Sequence, residues 1–306
     1  MKVLVVGAGG VGGYYGGMLA RTGADVFFIA RGANLDAISR DGLTVKSFDK
    51  GDFNVRAKCG KRADSFGEAD VILICVKAYD TSATLDLYRN NVGPETVILS
   101  LQNGIDNESI IAEKYGRDRV MGGIAFIGSR VDKPGTILHT AFGHITIGEF
   151  SPNAPKGRTE KVAKMFEEAG VRCKISGDIR RDLYGKMIWN VGFNALCAIL
   201  DCTAKEAVSF GGTRMVVKEA MLEWINVAVA DGVDLSPGMA DKNIEVTLKG
   251  GEVIPSMLHD RRLGRRMEID TFNGKVTQMG SRLGVDTPVN KTITALASFL
   301  NGRSKG

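Results

Sequence analysis

An α/β chain, with a doubly wound and mostly parallel sheet in its first half and an all-helical second half, is predicted by three observations. Short apolar runs alternate with helix-spaced segments through the first hundred or so residues. A glycine-rich turn separates the first of those runs from the first helix. From about residue 177 onward nearly every segment has helical spacing.

Taken in order, residues 3–6 form a continuous apolar run and residues 11–21 a helix, followed by a strand over 25–30 and a short helix over 35–40. Further strands are predicted over 71–76 and 96–101, with a helix between them near 81–88. Runs that are apolar on both faces suit parallel strands covered by helices. Between residues 122 and 148 the strands read as shorter, with turn signals at Lys133-Pro134-Gly135 and Gly143, which predicts antiparallel pairing at one edge of the sheet. A helix over 156–169 and a strand over 171–176 complete a first domain of residues 1–176. In the second domain, residues 177–306, helices are expected over 215–230, 239–248, 257–280 (broken at Gly264) and 289–300. The helix over 215–230 is apolar around most of its circumference, which suits burial in a bundle and leaves a homodimer contact open as well.

A chain of 306 residues is long enough for two domains that each bury a core without a disulfide or metal staple. The formal charge of +5 is spread without a basic block, which argues against a nucleic-acid surface. Cys59, Cys75, Cys173, Cys197 and Cys202 show neither CxxC pairing nor histidine spacing for zinc, so no metal is expected and a reducing compartment is. No signal peptide precedes the first strand and no apolar stretch approaches membrane-spanning length, so the cytoplasm is the expected location and a membrane role is not.

Gly7-Ala8-Gly9-Gly10-Val11-Gly12 is a GxGxxG that follows a strand and opens a helix, the context in which the motif has a mechanism. Gly7 permits the tight turn, Gly9 lets backbone approach a pyrophosphate, and Gly12 allows close helix–strand packing, so Gly7, Gly9, Gly10 and Gly12 are read as cofactor-binding. The helix N-terminus adds free N–H groups and partial positive charge. This makes the first domain a Rossmann-type dinucleotide-binding domain. At the end of the second strand an NAD site usually carries an acid for the ribose 2′-OH. Here the sequence reads Phe28-Ile29-Ala30-Arg31-Gly32, and a guanidinium at Arg31 suits a 2′-phosphate, so NADPH is expected.

In the second domain Lys186, Asn190 and Asn194 recur every fourth residue, along one slowly drifting helical face. Their neighbours Met187, Ile188, Trp189, Val191 and Phe193 are apolar, so the helix should be largely buried and its polar groups need partners. A ligand with a carboxylate and a carbonyl would supply them, and so would a hydrogen-bond network within the protein. Ser256 and Glu268 form a second candidate cluster. Taken alone, Glu268 sits among Arg261, Arg262, Arg265 and Arg266 and reads as surface ion pairing.

Across nearly its whole length the chain resembles the ketopantoate reductases, also called 2-dehydropantoate 2-reductases. The matching segments are GAGGVGGYYG, Ala30-Arg31-Gly32, VKAYD around Lys77 and LQNG at Leu101-Gln102-Asn103-Gly104. LYGKMIWNVGFN around Lys186, SMLHD from Ser256, MEIDTFNG around Glu268 and GVDTPVN near the end follow. The resemblance implies a Rossmann domain followed by a helical domain, with the active site in the cleft between them. It implies NADPH-dependent reduction of ketopantoate to pantoate, a step toward pantothenate and coenzyme A. It implies Lys186 as general acid, Glu268 as its partner, and Asn190, Asn194 and Ser256 as holders of the substrate. Asn103 would lie close to both cofactor and substrate, with Lys77 and Arg31 serving the cofactor. A lysine suits the acid role once burial lowers its pKa, and Glu268 would pull that pKa back up.

Three departures bear on the substrate: Ala195 after the second asparagine, Val253-Ile254-Pro255 before Ser256, and Thr271 after the EID segment. A reductase of another branched 2-keto acid would use the same residues. A 3-hydroxyacid-type dehydrogenase would share the glycine loop and a helical lysine–asparagine pair without Asn103, Ser256 and Glu268. A non-catalytic dinucleotide sensor would need neither Lys186 nor Glu268.

Overall fold

The structure, a computed structural model, describes residues 1–303. The chain divides between Ile179 and Arg180 into two compact units. In the first, the order is β1 (Lys2–Val6), α1 (Gly10–Arg21), β2 (Asp25–Ile29), α2 (Gly32–Asp41), β3 (Leu43–Ser47), β4 (Phe53–Val55), β5 (Lys58–Gly60), β6 (Val71–Ile74) and α3 (Thr81–Thr84). There follow β7 (Val97–Ser100), α4 (Asn107–Tyr115), β8 (Val120–Lys133), β9 (Thr136–Glu149), α5 (Arg158–Glu168) and β10 (Cys173–Ile175). The strands form one mixed sheet in the order β4-β3-β9-β8-β7-β6-β1-β2-β5, with β10 also paired to β9. Its parallel centre joins β1 to both β2 and β6.

Alternation within β1 explains why the sheet is covered on both sides. Val3 and Val5 enter a core with Tyr14, Tyr15 and Leu19 of α1, while Leu4 and Val6 enter another with Ile72, Ile74 and Ile111. Successive residues of a strand point to opposite faces, so each face receives half of an entirely apolar run.

The antiparallel segment differs from the sequence reading in two ways. β8 and β9 are 14 residues each, not a set of shorter strands, and they pair along nearly their full length. Register shifts at Phe126/Ile127, Gly128/Ser129 and Val131/Lys133 break the alternation that marks a long strand. The pair is also not at the sheet edge: β3 joins β9 in parallel, and β4 lies beyond β3. Helix 81–88 is shorter than predicted, with α3 giving way to 3₁₀ geometry over Leu85–Asn91.

The second unit contains α6 (Ile179–Leu200, starting one residue before the division), α7 (Ala204–Ser209), α8 (Gly211–Ala230), α9 (Gly238–Lys249), α10 (Ser256–Arg262), α11 (Asn273–Leu283) and α12 (Pro288–Arg303). The predicted helix over 257–280 is two helices separated by irregular chain. α10 stops at Arg262, Gly264 takes a left-handed φ of 63°, and Arg265 N–H closes back onto the Asp260 carbonyl at 2.8 Å. α8 is buried along Val217, Met221 and Trp224, yet Met215 and Val229 are exposed, so it is not enclosed on all sides.

A buried polar network ties four of these helices together. Asn273 of α11 donates to the Val191 carbonyl of α6 (3.0 Å) and to Asn290 Oδ1 of α12 (2.8 Å). Asn290 donates to Glu223 Oε2 of α8 at 2.6 Å, and the Glu223 carboxylate also accepts from the backbone N–H groups of Val289 and Asn290. A carboxylate at the first turn of α12 offsets the helix dipole as well as satisfying free N–H groups.

Glu108, in the first turn of α4, has the opposite character. It is fully buried and, among the described residues, neither of its carboxylate oxygens makes a well-formed hydrogen bond. Burial pushes its carboxyl up to about 7, against the smaller opposing effects of its own N–H and the Ser100 hydroxyl. A folded-state pKa raised above the ordinary 4.5 favours folding below that pH and loses the benefit as pH rises through 7. Glu108→Gln should therefore raise thermal stability at pH 8 by about 3 kcal/mol and change it little at pH 4. Melting curves at the two pH values check this; an equal shift at both would contradict it.

Candidate active site

The four strands β7, β6, β1 and β2 lie side by side and parallel, so their carboxyl ends share one edge of the sheet. The glycine loop leaves β1 there, Arg31 follows β2, Lys77 follows β6 and Asn103 follows β7. This edge is where an open α/β sheet binds ligands.

Each glycine of the loop has a distinct reason. Gly7 has φ +101°, a left-handed conformation that side chains resist, while its N–H donates to the Ile29 carbonyl at 3.0 Å. A Cβ on Gly12 would lie 2.0 Å from the Gly7 carbonyl oxygen, and one on Gly10 would lie 2.5 Å from the Ser129 carbonyl oxygen of β8. Gly10 is thus glycine for packing, whatever it contributes to a ligand. Gly9 is different: it has an ordinary φ of −78°, and no atom beyond its own residue and its chain neighbours lies within 4 Å of where its Cβ would be. The fold does not demand glycine at position 9, and a ligand closely approaching the backbone would. The first turn of α1 carries no acidic residue and, among the described residues, no side-chain cap, which suits an anion at its N–H groups.

Two residues that sequence reasoning passed over shape this edge. Asn34 of α2 donates to the Ala8 carbonyl at 2.6 Å and accepts from Gly135 N–H at 2.8 Å, so it clamps the glycine loop to the β8–β9 turn. Asp80 holds Arg31 in an ion pair of 2.8 Å. Both partnerships link residues far apart in sequence and leave no local signal. Asn103 is half-buried, and its backbone carbonyl accepts from the Asn107 side chain at 2.8 Å. The preceding Gln102 is bonded to the Val76 carbonyl (2.9 Å) and to Thr81 (2.8 Å), tying the LQNG turn to the loop after β6.

In the helical unit, α6 presents Lys186, Asn190 and Asn194 at successive turns. Asn194 Nδ2 donates to Asn190 Oδ1 at 2.9 Å, and Asn194 Oδ1 accepts from Ser256 Oγ at 3.1 Å and from Met257 N–H at 3.2 Å. Asn190, Asn194 and Ser256 are therefore brought together. Asn194 is 1% exposed and its oxygen is taken up by the start of α10, which gives it the work of holding Asn190 and Ser256 in place. Lys186, one turn earlier, is half-buried, and burial lowers its pKa from 10.5 to about 8 while the charge of Glu268 opposes the fall. Glu268 is 5% exposed, so the surface ion pairing its arginine-rich neighbourhood suggested does not describe it. Of the neighbouring arginines, Arg262 pairs with Asp201 and Arg261 donates to the Ala198 carbonyl.

Among the described residues no helix is long and apolar enough to cross a membrane, and no group of three or more His, Cys, Asp or Glu is placed to hold a metal ion.

Comparison with known proteins fits this arrangement. The family model described as ketopantoate reductase PanE/ApbA matches residues 3–152, and its C-terminal counterpart matches residues 178–301. A 2-dehydropantoate 2-reductase of Mesorhizobium japonicum is 30% identical, covering 98% of each chain. The crystal structure of 2-dehydropantoate 2-reductase from Geobacter metallireducens is 36% identical, covers 97% of this chain and 99% of its own, and superposes with a TM-score of 0.91. The fold is shared as well by a D-mandelate dehydrogenase, whose ternary structure with NADH and anilino(oxo)acetate has a TM-score of 0.93 at 24% identity over the whole of both chains. With both domain models matched and relatives spanning its full length, the chain belongs to the ketopantoate reductase PanE/ApbA family of oxidoreductases.

Proposed function

We propose that this protein reduces the 2-keto group of ketopantoate to give pantoate, using NADPH, with Lys186 as the general acid. The observation that carries the reading is the setting of Lys186: an ammonium on a largely buried helix, one turn from the Asn190–Asn194–Ser256 cluster, brought down to about 8 by burial with the charge of the buried Glu268 opposing the fall. Such a group is protonated at neutral pH and close enough to that pH to give its proton up.

Residues of the sheet edge fit the cofactor. Gly9, whose missing side chain the protein does not need, and the N-terminus of α1 would hold the pyrophosphate, with Arg31 at the adenosine 2′-phosphate and Lys77 and Asn103 alongside. When bound, NADPH supplies the hydride. In the helical unit Asn190 spends its side-chain oxygen on Asn194, which leaves its amino group to donate to a substrate carboxylate. Ser256, exposed at the start of α10, would bind the substrate hydroxyl. Lys186 would donate its proton from Nζ as negative charge develops on the keto oxygen, and Glu268 would keep the ammonium oriented and charged until then.

A second reading keeps this chemistry and changes the acid. Val253 and Ile254, both exposed just before Ser256, are apolar and would favour a keto acid with a more apolar side chain. Following NADPH oxidation with ketopantoate, 2-ketoisovalerate and phenylglyoxylate, beside the same set with NADH, separates the two. Turnover confined to ketopantoate supports the first reading, and faster turnover of either other acid supports the second.

The role of Lys186 has its own test. Lys186→Ala should lower kcat by at least ~10²-fold, the usual scale for a lost acid catalyst. Because the acid must be protonated, the rate should fall as pH rises through about 8. Glu268→Gln removes the influence that raises the Lys186 pKa, so the alkaline limb of its pH–rate profile should move to lower pH. An unmoved limb would separate Glu268 from the acid.

The glycine loop gives a paired expectation. Gly12→Ala should lower the melting temperature, because its Cβ would overlap the Gly7 carbonyl. Gly9→Ala should leave the melting temperature of the free protein unchanged and weaken NADPH binding by an order of magnitude or more, as titration calorimetry would read directly.

A further inference from the structure

Asp80 closes the VKAYD segment, and nothing in the proposed reaction uses it. Its carboxylate lies 2.8 Å from Arg31 Nη2, with the Arg31 side chain 85% exposed and that of Asp80 25% exposed. Arg31 follows β2 and Asp80 follows β6, and the strand between them is β1. Neighbouring strands stand ~4.8 Å apart, so the pair reaches across roughly two strand spacings, over the edge where the glycine loop emerges. An ion pair this open to water adds little to folding stability. Its place, across the mouth of the loop and at the residue that reads the adenosine ribose, points instead to cofactor selection.

We propose that Asp80 is a specificity-determining residue that competes with the cofactor's 2′-phosphate for Arg31. The inference rests on the reading of this edge as a dinucleotide site with Arg31 as its phosphate reader. In the free protein the guanidinium is engaged by Asp80. A ligand bearing a 2′-phosphate must replace that carboxylate as the partner of Arg31 and then tolerate a like charge beside it. A ligand with a plain 2′-OH meets neither cost, since the Arg31–Asp80 pair stays whole and the carboxylate is an acceptor for the hydroxyl. The two residues together narrow the advantage of NADPH over NADH, compared with Arg31 acting alone.

Titration calorimetry on the full chain tests this with NADPH and NADH, and with adenosine 2′,5′-bisphosphate and 5′-AMP, which carry only the adenosine end. Asp80→Asn keeps the shape and removes the charge. It should raise the ratio of NADPH to NADH affinity roughly 3- to 10-fold, and the bisphosphate to 5′-AMP ratio by a similar factor, at low ionic strength, with the gain shrinking in salt. Asp80→Ala should act in the same direction. In an Arg31→Ala background the same substitution should have a smaller effect, because no guanidinium remains to be released. A ratio unchanged within 2-fold, or lowered, in both Asp80 variants while the wild-type protein binds both dinucleotides would overturn this inference alone. A wild-type protein that binds neither dinucleotide would overturn the cofactor reading and this inference with it.

Discussion

The helical unit is organised by one constraint: α6 places a lysine and two asparagines on a helix that is buried along most of its length between Leu183 and Ala198. Polar groups in that setting are costly unless each finds a partner. The rest of the unit provides those partners from distant segments. The start of α10 satisfies Asn194, Asn194 satisfies Asn190, and the segment before α11 brings the charge of Glu268 to Lys186. Even the backbone of α6 is held this way, with Asn273 donating to the Val191 carbonyl and Trp224 Nε1 donating to the Tyr184 carbonyl at 2.9 Å. The Asn273–Asn290–Glu223 network then fixes α11 and α12 against α8. Removing one of these partners would strand a buried polar group, at a cost larger than the net worth of the bond itself.

The sheet unit solves a different problem, bringing backbone rather than side chains to a ligand. Gly7, Gly10 and Gly12 are used up by the fold itself, in a left-handed turn and in two contacts too close for a Cβ. They let α1 start immediately after β1 and lie against β8, which sets its N-terminus at the carboxyl edge of the sheet. Gly9 alone is left without a structural reason. Asn34 and Gln102 do the corresponding work for the neighbouring loops, Asn34 joining the glycine loop to the β8–β9 turn and Gln102 joining the turn after β7 to the segment after β6.

How much of this is legible in the sequence follows from the range of each interaction. The central strands, α1 and the glycine loop are visible because their signals are local: continuous apolar runs, a 3.6-residue period and a motif in the right context. The β8–β9 ribbon is visible as antiparallel but not in length or place. Its bulges and glycines erase the two-residue period, and its pairing with β3 joins segments some ninety residues apart. Lys186, Asn190 and Asn194 announce themselves by spacing. Glu268 does not, because four nearby arginines suggest an exposed surface, and only the tertiary fold buries it. Asn34 and Asp80 are invisible for the same reason, since their partners are 26 and 49 residues away in the chain.

The balance at Lys186 shows why burial and Glu268 belong together in the proposed reaction. Burial alone would drive the lysine toward its neutral form, and a neutral amine has no proton to give. The carboxylate charge of Glu268 acting without desolvation would hold the ammonium near or above its ordinary 10.5, where giving the proton up is unfavourable at neutral pH. At Lys186 desolvation is the larger effect and the carboxylate the smaller, and the ammonium is brought down to about 8, which suits the acid proposed here. It also means that Lys186 opposes folding while it is charged, because its folded pKa lies below the unfolded one. That strain is carried by the buried packing of α6 on α8, α10 and α11, so the stability of those contacts and the readiness of the acid are two sides of the same arrangement.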